Sequence, residues 1–337
     1  MPTRHLDESV RTSGLPADLS RESCEAAHRR IAPYIVQTPL ELSPELSRRL
    51  GAEVFLKLEN LQASGSFKLR GVLNKILSLP ASDLERPLVA ASTGNHGAAF
   101  AHALEIFGLT GRLFSPRTIS SVKLAWLRRS GMPLELVGDD CLEAELAARA
   151  YAVERKCVLI PPYNDYDIVV GQASIGVELV RDVAALDAVL VPVGGGGLVS
   201  GIGAYLKAVA PRTVVIGCQP VNSAVMHHSL QAGRIVKEES LPTLADGTAG
   251  GIETGSITFD LCRKVVDEFV LLSEEEIGAA MVFVRRYHGV DIEGAAALSV
   301  AAACKLRERF RCQRVALIIS GGRVDPSLIE RLEVGHE

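Results

Sequence analysis

From about residue 20 to residue 320, short apolar or β-branched runs alternate with helical stretches. That alternation confines the chain to an α/β fold built on parallel sheets. The expected strands are Glu53–Leu58, Leu88–Ala91, Gly111–Phe114, Leu134–Val137, Val158–Ile160, Ala188–Val193, Thr213–Cys218, Glu268–Leu272 and Arg314–Ser320. Helices are expected between them, among others over Asn95–Phe107, Ser121–Arg129, Leu142–Lys156, Leu198–Val209, Glu274–Tyr287 and Ala295–Phe310. Ser273 stands three residues before Glu276, a capping box rather than a metal cluster. A chain of 337 residues has room for about two such domains.

Charge excludes several classes of function. The chain has 36 Lys+Arg against 40 Asp+Glu, so it lacks the excess of cations that a nucleic-acid binder needs. The longest charge-free small-apolar stretch, Gly294–Cys304, is about half of the ~20 residues that span a bilayer. The first residues carry charges where a signal peptide has an apolar core. The expectation is a cytoplasmic protein with neither membrane nor nucleic-acid partners. Its seven cysteines form no CxxC pair, so they read as free thiols rather than disulfides or zinc ligands. Paired Asp139-Asp140 and His227-His228 read as a loop and a helix end, and no metal site is expected.

Three glycine-bearing segments carry the chemistry. In Val189-Leu-Val-Pro-Val-Gly194-Gly195-Gly196-Gly197-Leu198 a strand runs through four glycines into a helix. Bare backbone amides and the positive end of a helix dipole make a phosphate cup, and four glycines exceed what a tight turn needs. No Gly-Lys-Ser/Thr follows, so it is not a Walker loop. A dinucleotide loop would want an acid at the end of the next strand, where Cys218-Gln219 stand instead. In Ser64-Gly65-Ser66-Phe67-Lys68-Leu69-Arg70-Gly71 a lysine sits in the first turn of an amphipathic helix. Burial there pushes an amine toward its neutral, nucleophilic form, although a lysine alone is usually a solvated surface residue. Beside a phosphate cup, it points to pyridoxal 5'-phosphate, which needs one lysine, one cup and a partner for its ring nitrogen. The third segment, Ala91-Ser92-Thr93-Gly94-Asn95-His96-Gly97, follows a strand and opens a helix. Its amides and hydroxyls suit a small carboxylate, while the plainer reading is helix capping by Ser92 or Thr93.

In this order the segments resemble the fold type II pyridoxal-phosphate enzymes (tryptophan synthase β-like), and within them the serine/threonine dehydratase family that includes serine racemase. The resemblance runs from about Ile35 to Ile329. It also rests on Gln37-Thr-Pro-Leu40, Gly171-Gln172, Thr243-Leu-Ala-Asp-Gly247, Glu293-Gly294 and Ser320-Gly-Gly322. The stretch from Thr243 to Glu253 is similar to the dehydratase-like enzyme of hydroxyectoine utilisation. The resemblance implies two unequal three-layer α/β domains with the cofactor in the cleft between them. Residues 1–18 would be a tail, 19–86 plus 165–337 the large domain and 87–164 a small inserted one. It implies that Lys68 carries the cofactor as a Schiff base and that Phe67 packs on one ring face. Asn95 would bond the ring hydroxyl, Gly194, Gly195, Gly196, Gly197 and Leu198 hold the phosphate, and Ser320 faces the ring nitrogen. Ser92, Thr93, Asn95 and His96 would receive the substrate carboxylate, with Lys68 and Thr93 catalytic. A homodimer is implied as well.

Four departures from the family pattern are visible. Arg323 stands where the family has Asn, and it becomes a candidate substrate-binding residue. Thr93 stands where serine racemase has a second Ser; a hydroxyl is kept, and racemisation is weakened rather than removed. Gln219 and Val225 stand where some members hold a cation through carboxylates. No room is expected for an appended regulatory domain. The activity implied is dehydration and deamination of a β-hydroxy amino acid, such as threonine or serine, to a 2-oxo acid and ammonia. The alternatives are an amino-acid racemase, a nicotinamide-dependent oxidoreductase and a non-catalytic carrier of pyridoxal phosphate.

Overall fold

The computed structural model describes residues 14–92, 94–119 and 121–335. Thr93 and most of the expected tail lie outside the described residues. Two sheets organise the chain. The larger is six-stranded in the order β1-β2-β10-β7-β8-β9. Its strands are β1 (Leu40–Leu42), β2 (Glu53–Leu58), β7 (Ala188–Pro192), β8 (Val214–Pro220), β9 (Glu268–Leu272) and β10 (Arg314–Ile319). All neighbours are parallel except the antiparallel β1 and β2. The smaller sheet is parallel throughout in the order β5-β4-β3-β6, from β3 (Leu88–Ala91), β4 (Gly111–Ser115), β5 (Leu134–Leu136) and β6 (Val158–Leu159).

Each sheet is covered on both faces, as parallel sheets require. In β7, Ala188 and Leu190 enter one core and Val189 and Val191 the other, and β10 divides Val315, Leu317 and Ile319 from Ala316 and Ile318 in the same way. Helices α12 (Glu274–His288) and α13 (Gly294–Lys305) contribute to the first core, and α8 (Tyr166–Asp182), α9 (Gly197–Val209) and α11 (Ile257–Val265) to the second. On the smaller sheet, α5 (Asn95–Phe107) packs with Leu88, Ala90 and Leu113, while α7 (Cys141–Arg155) lays Ala144, Ala148 and Ala152 over Val89, Ala91 and Phe114. The result is two three-layer α/β units. Helix α3 (Lys68–Ser78) adds Leu69, Val72, Leu73 and Ile76 to the core of the smaller sheet and presses its other side on α8.

The remaining helices, α1 (Arg21–Ile31), α2 (Pro44–Leu50), α4 (Ala81–Leu84), α6 (Ser121–Arg129), α10 (Val225–Ala232) and α14 (Pro326–Gly335), complete the covering layers. The capping box of α12 is formed: Glu276 N–H donates to the Ser273 hydroxyl and Ser273 N–H to the Glu276 carboxylate. The single helix expected over 295–310 is two elements, because α13 stops at Lys305 and a 3-10 turn follows over Arg307–Phe310. Strand β1 was not foreseen: its three residues are too few for an alternating pattern. The seven cysteines are free thiols. No helix among the described residues is long and apolar enough to cross a membrane.

Candidate active site

Both sheets direct the C-terminal ends of their central strands at one cleft, the usual place for a ligand in parallel α/β folds. Ser320 and Gly194 lie just past the neighbouring parallel strands β10 and β7. The segment before α3 is tied to the same edge. Phe67 N–H donates to Ser320 O (3.1 Å), Gly322 N–H donates to Gly65 O (3.1 Å), and Ser66 pairs with Gly321. Lys68 therefore enters the cleft beside Ser320, and its Nζ donates to Pro162 O at 2.9 Å. Enclosure among protein atoms pulls its amine down to about 8, against the opposing pull of Glu145 and Glu293.

The glycine loop fits its expected use. Gly196 takes φ +86° at the N-terminus of α9, where only glycine is free of strain. A Cβ on Gly195 would lie 2.5 Å from the Tyr163 ring, and one on Gly194 would meet Thr248 at 3.0 Å. Tyr163 closes the loop from behind, so side chains are excluded and the backbone amides are left for a ligand.

Loop 92–94 leads from β3 into α5. The Ser92 hydroxyl accepts from Gly94 N–H (3.0 Å), and α5 begins without a side-chain cap, contrary to the capping reading of Ser92. The first-turn amides are thereby available to an anion. Asn95 Nδ2 donates to both oxygens of Glu293 (2.7 and 2.9 Å), while its buried Oδ1 has no partner. Burial pushes the Glu293 carboxyl up to about 7, with the Asn95 bond opposing. The His96 ring is turned to the smaller sheet, where Nε2 donates to Ile160 O (2.9 Å) and Nδ1 is unpartnered. Burial and then Lys68 drive that ring down to about 3, so it is neutral.

Arg323 is half-buried and bonds a backbone carbonyl rather than a carboxylate. Its Nε and Nη2 donate to Ser64 O (3.1 and 3.0 Å), and its guanidinium lies 5.8 Å from the Trp126 ring centre, on the cleft wall. Gln219 accepts from His227 N–H (2.9 Å) and Val225 is buried. Among the described residues, no group of three His, Cys, Asp or Glu could hold a metal ion.

Sequence reasoning missed Glu145, Tyr163 and Trp126, which also line the cleft. Glu145 looks like one more acid on a helix and gives no sequence signal. Burial pushes its carboxyl up to about 7, with Lys68 opposing. The site thus presents a depressed lysine, a side-chain-free amide cup, an unpartnered amide oxygen and a hydroxyl at the end of β10. That donor set fits pyridoxal phosphate: its aldehyde, phosphate, ring hydroxyl and ring nitrogen would each find a suitable group.

Comparison with known proteins agrees. The family model described as pyridoxal-phosphate dependent enzyme matches residues 31–321. An L-threonine ammonia-lyase of Thermotoga maritima is 39% identical over 314 residues, covering 93% of this chain and 78% of that protein. The processed form of threonine deaminase isoform 2 from Solanum lycopersicum superposes with a TM-score of 0.88 at 30% identity, covering 98% of each chain. Serine racemase from Dictyostelium discoideum gives 0.83 at 32% identity, covering 92% of this chain and all of the other.

Proposed function

The chain belongs to the pyridoxal-phosphate dependent enzymes, and from that premise we propose that it is an ammonia-lyase. It converts a β-hydroxy amino acid, with L-threonine first among candidates, to a 2-oxo acid and ammonia. The observation that carries this reading is Lys68, its amine depressed to about 8 and held at the mouth of the glycine cup. The threonine ammonia-lyase and threonine deaminase likenesses support the substrate class.

When bound, the cofactor supplies an electron sink for the pair left at the substrate's Cα. The chain's own groups do the rest. In this reading the amides of Gly194 to Gly197, with Leu198, hold the phosphate, and Phe67 covers one face of the ring. Ser92, Thr93, Asn95 and the first-turn amides at His96 hold the substrate carboxylate. Lys68 Nζ removes the α-proton, which a depressed amine does well near neutral pH. Ser320 offers the ring nitrogen a hydroxyl, too weak an acid to protonate it, and that favours prompt loss of the β-hydroxyl over a long-lived carbanion. Arg323, fixed on Ser64 O, forms part of the wall that meets the substrate.

A racemase is the second reading, favoured by the serine racemase likeness. The test is a panel of D- and L-serine, D- and L-threonine and 3-hydroxyaspartate, scored for ammonia, oxo acid and inversion at Cα. Ammonia and oxo acid from L-threonine are expected. Inversion without ammonia would establish the racemase instead. We further place the working enzyme in the cytoplasm as a homodimer, on the family resemblance, to be checked by fractionation and light scattering.

A further inference from the structure

Two carboxyls act on the Lys68 amine, Glu145 more strongly than Glu293, and they are held differently. Glu293 accepts from Asn95 with both oxygens. Glu145 lines the cleft from α7, beside the buried Ala144, with the Tyr163 hydroxyl on the same wall and near enough to act on its carboxyl. Tyr163 is itself fixed. Only 7% of it is exposed, its oxygen accepts from Glu253 N–H (3.0 Å), its ring backs Gly195, and its Cβ lies against Gly197. It also directly follows Pro162, whose carbonyl holds Lys68 Nζ. Glu145 therefore stands on the side of the cleft occupied by Lys68 and the glycine loop, among Lys68, Tyr163, Glu253 and Arg149. A carboxyl in such a place retains a proton near neutral pH, and a leaving hydroxyl needs one.

We propose that Glu145 is the proton donor to the departing β-hydroxyl of the substrate, with Tyr163 as its positioning residue. This rests on the lyase reading above. Lys68 Nζ takes the α-proton as the Cα–H bond breaks. The electron pair closes the Cα=Cβ double bond as the Cβ–O bond breaks. The leaving oxygen takes the proton of Glu145 and departs as water. The Lys68 ammonium then returns a proton to the Glu145 carboxylate, and both groups are restored.

The experiment compares Glu145→Gln with wild type, both as holoenzyme, on L-serine and on 3-chloro-L-alanine, whose chloride leaves without a proton. The glutamine keeps the size of the side chain and an oxygen for Tyr163. With serine, kcat should fall by about 10²- to 10⁴-fold, the usual worth of a general acid. With chloroalanine it should stay within about threefold of wild type, because that step needs no general acid. Exchange of the serine α-proton with deuterated water, followed by NMR, should continue in the variant, as should the visible absorbance of the bound cofactor. Tyr163→Phe, which keeps the ring behind the glycine loop, should show the same substrate-selective loss in milder form. It provides the comparison if the first variant loses its cofactor. Equal losses on both substrates, or unimpaired serine turnover, would overturn the assignment. Wild-type enzyme inert on both substrates and on L-threonine would overturn the lyase reading and this assignment with it.

Discussion

Lys68 is where sequence and chemistry coincide most closely. Its place at the head of an amphipathic helix was legible from local pattern, while its place beside the glycine loop was implied only by the family resemblance. Its surroundings were not legible. Pro162, Glu145 and Glu293 reach it from 77 to 225 positions away in the sequence. Arg323 is a similar case: its departure from the family pattern was legible, its anchorage on Ser64 O was not. The depressed amine has a measurable consequence. Below about pH 8 the ammonium form dominates, and only the neutral amine attacks the cofactor aldehyde. In enzyme stripped of cofactor, the rate of recapture should rise about tenfold per pH unit toward that value and then level off. Absorbance stopped-flow measures it. A rate still climbing toward ~10.4, where an ordinary lysine titrates, would contradict the burial argument.

At the scale of elements, strands with buried β-branched runs were readable to within two residues at their ends, since a fully covered parallel strand has a nearly continuous apolar signature. The crossing of α3 and α8 was not readable. Gly71 and the Gly171-Gln172 pair, known from sequence only as matching segments, meet there. A Cβ on Gly71 would lie 2.3 Å from Gln172 Nε2 and 2.9 Å from Ile168 O. Around the same crossing, Arg70 bonds Glu59 (2.8 Å) and Glu178 (2.7 Å), and Lys57 bonds Glu178 (2.5 Å), all without solvent exposure. Burying four charges is costly, so this cluster fixes the geometry of the crossing more than it adds stability. It sets α3, and with it Lys68, against the loop that leads into α8. Gly71→Ala should therefore cost about 1–3 kcal/mol by overpacking, and Arg70→Met about 3–5 kcal/mol by leaving two carboxylates without their guanidinium. Urea unfolding of the two variants measures both. Losses below about 0.5 kcal/mol, the range of an ordinary surface substitution, would mean the crossing is not tight.

For the whole molecule, strand–helix alternation announced the parallel sheets, but it could not say how the two units share their parts. Helix α3 serves both, through Leu69 and Val72 on one side and Gly71 on the other. Three polar pairs span the cleft: Asn95–Glu293, Lys123–Asp246 (2.5 Å) and Arg149–Glu253 (2.8 Å). Their partners are more than a hundred residues apart in the chain, beyond the reach of any local pattern. What they close around is the central claim: one cleft, with Lys68 as the group that binds pyridoxal phosphate. Borohydride reduction of the holoenzyme, followed by proteolysis and mass spectrometry, tests it directly, because reduction fixes the cofactor to the amine that carries it. The account predicts the pyridoxyl phosphate mass on the peptide containing Lys68, and its absence from Lys68→Ala protein that is still folded by circular dichroism. The same mass on another lysine, or retained in the folded variant, would contradict it.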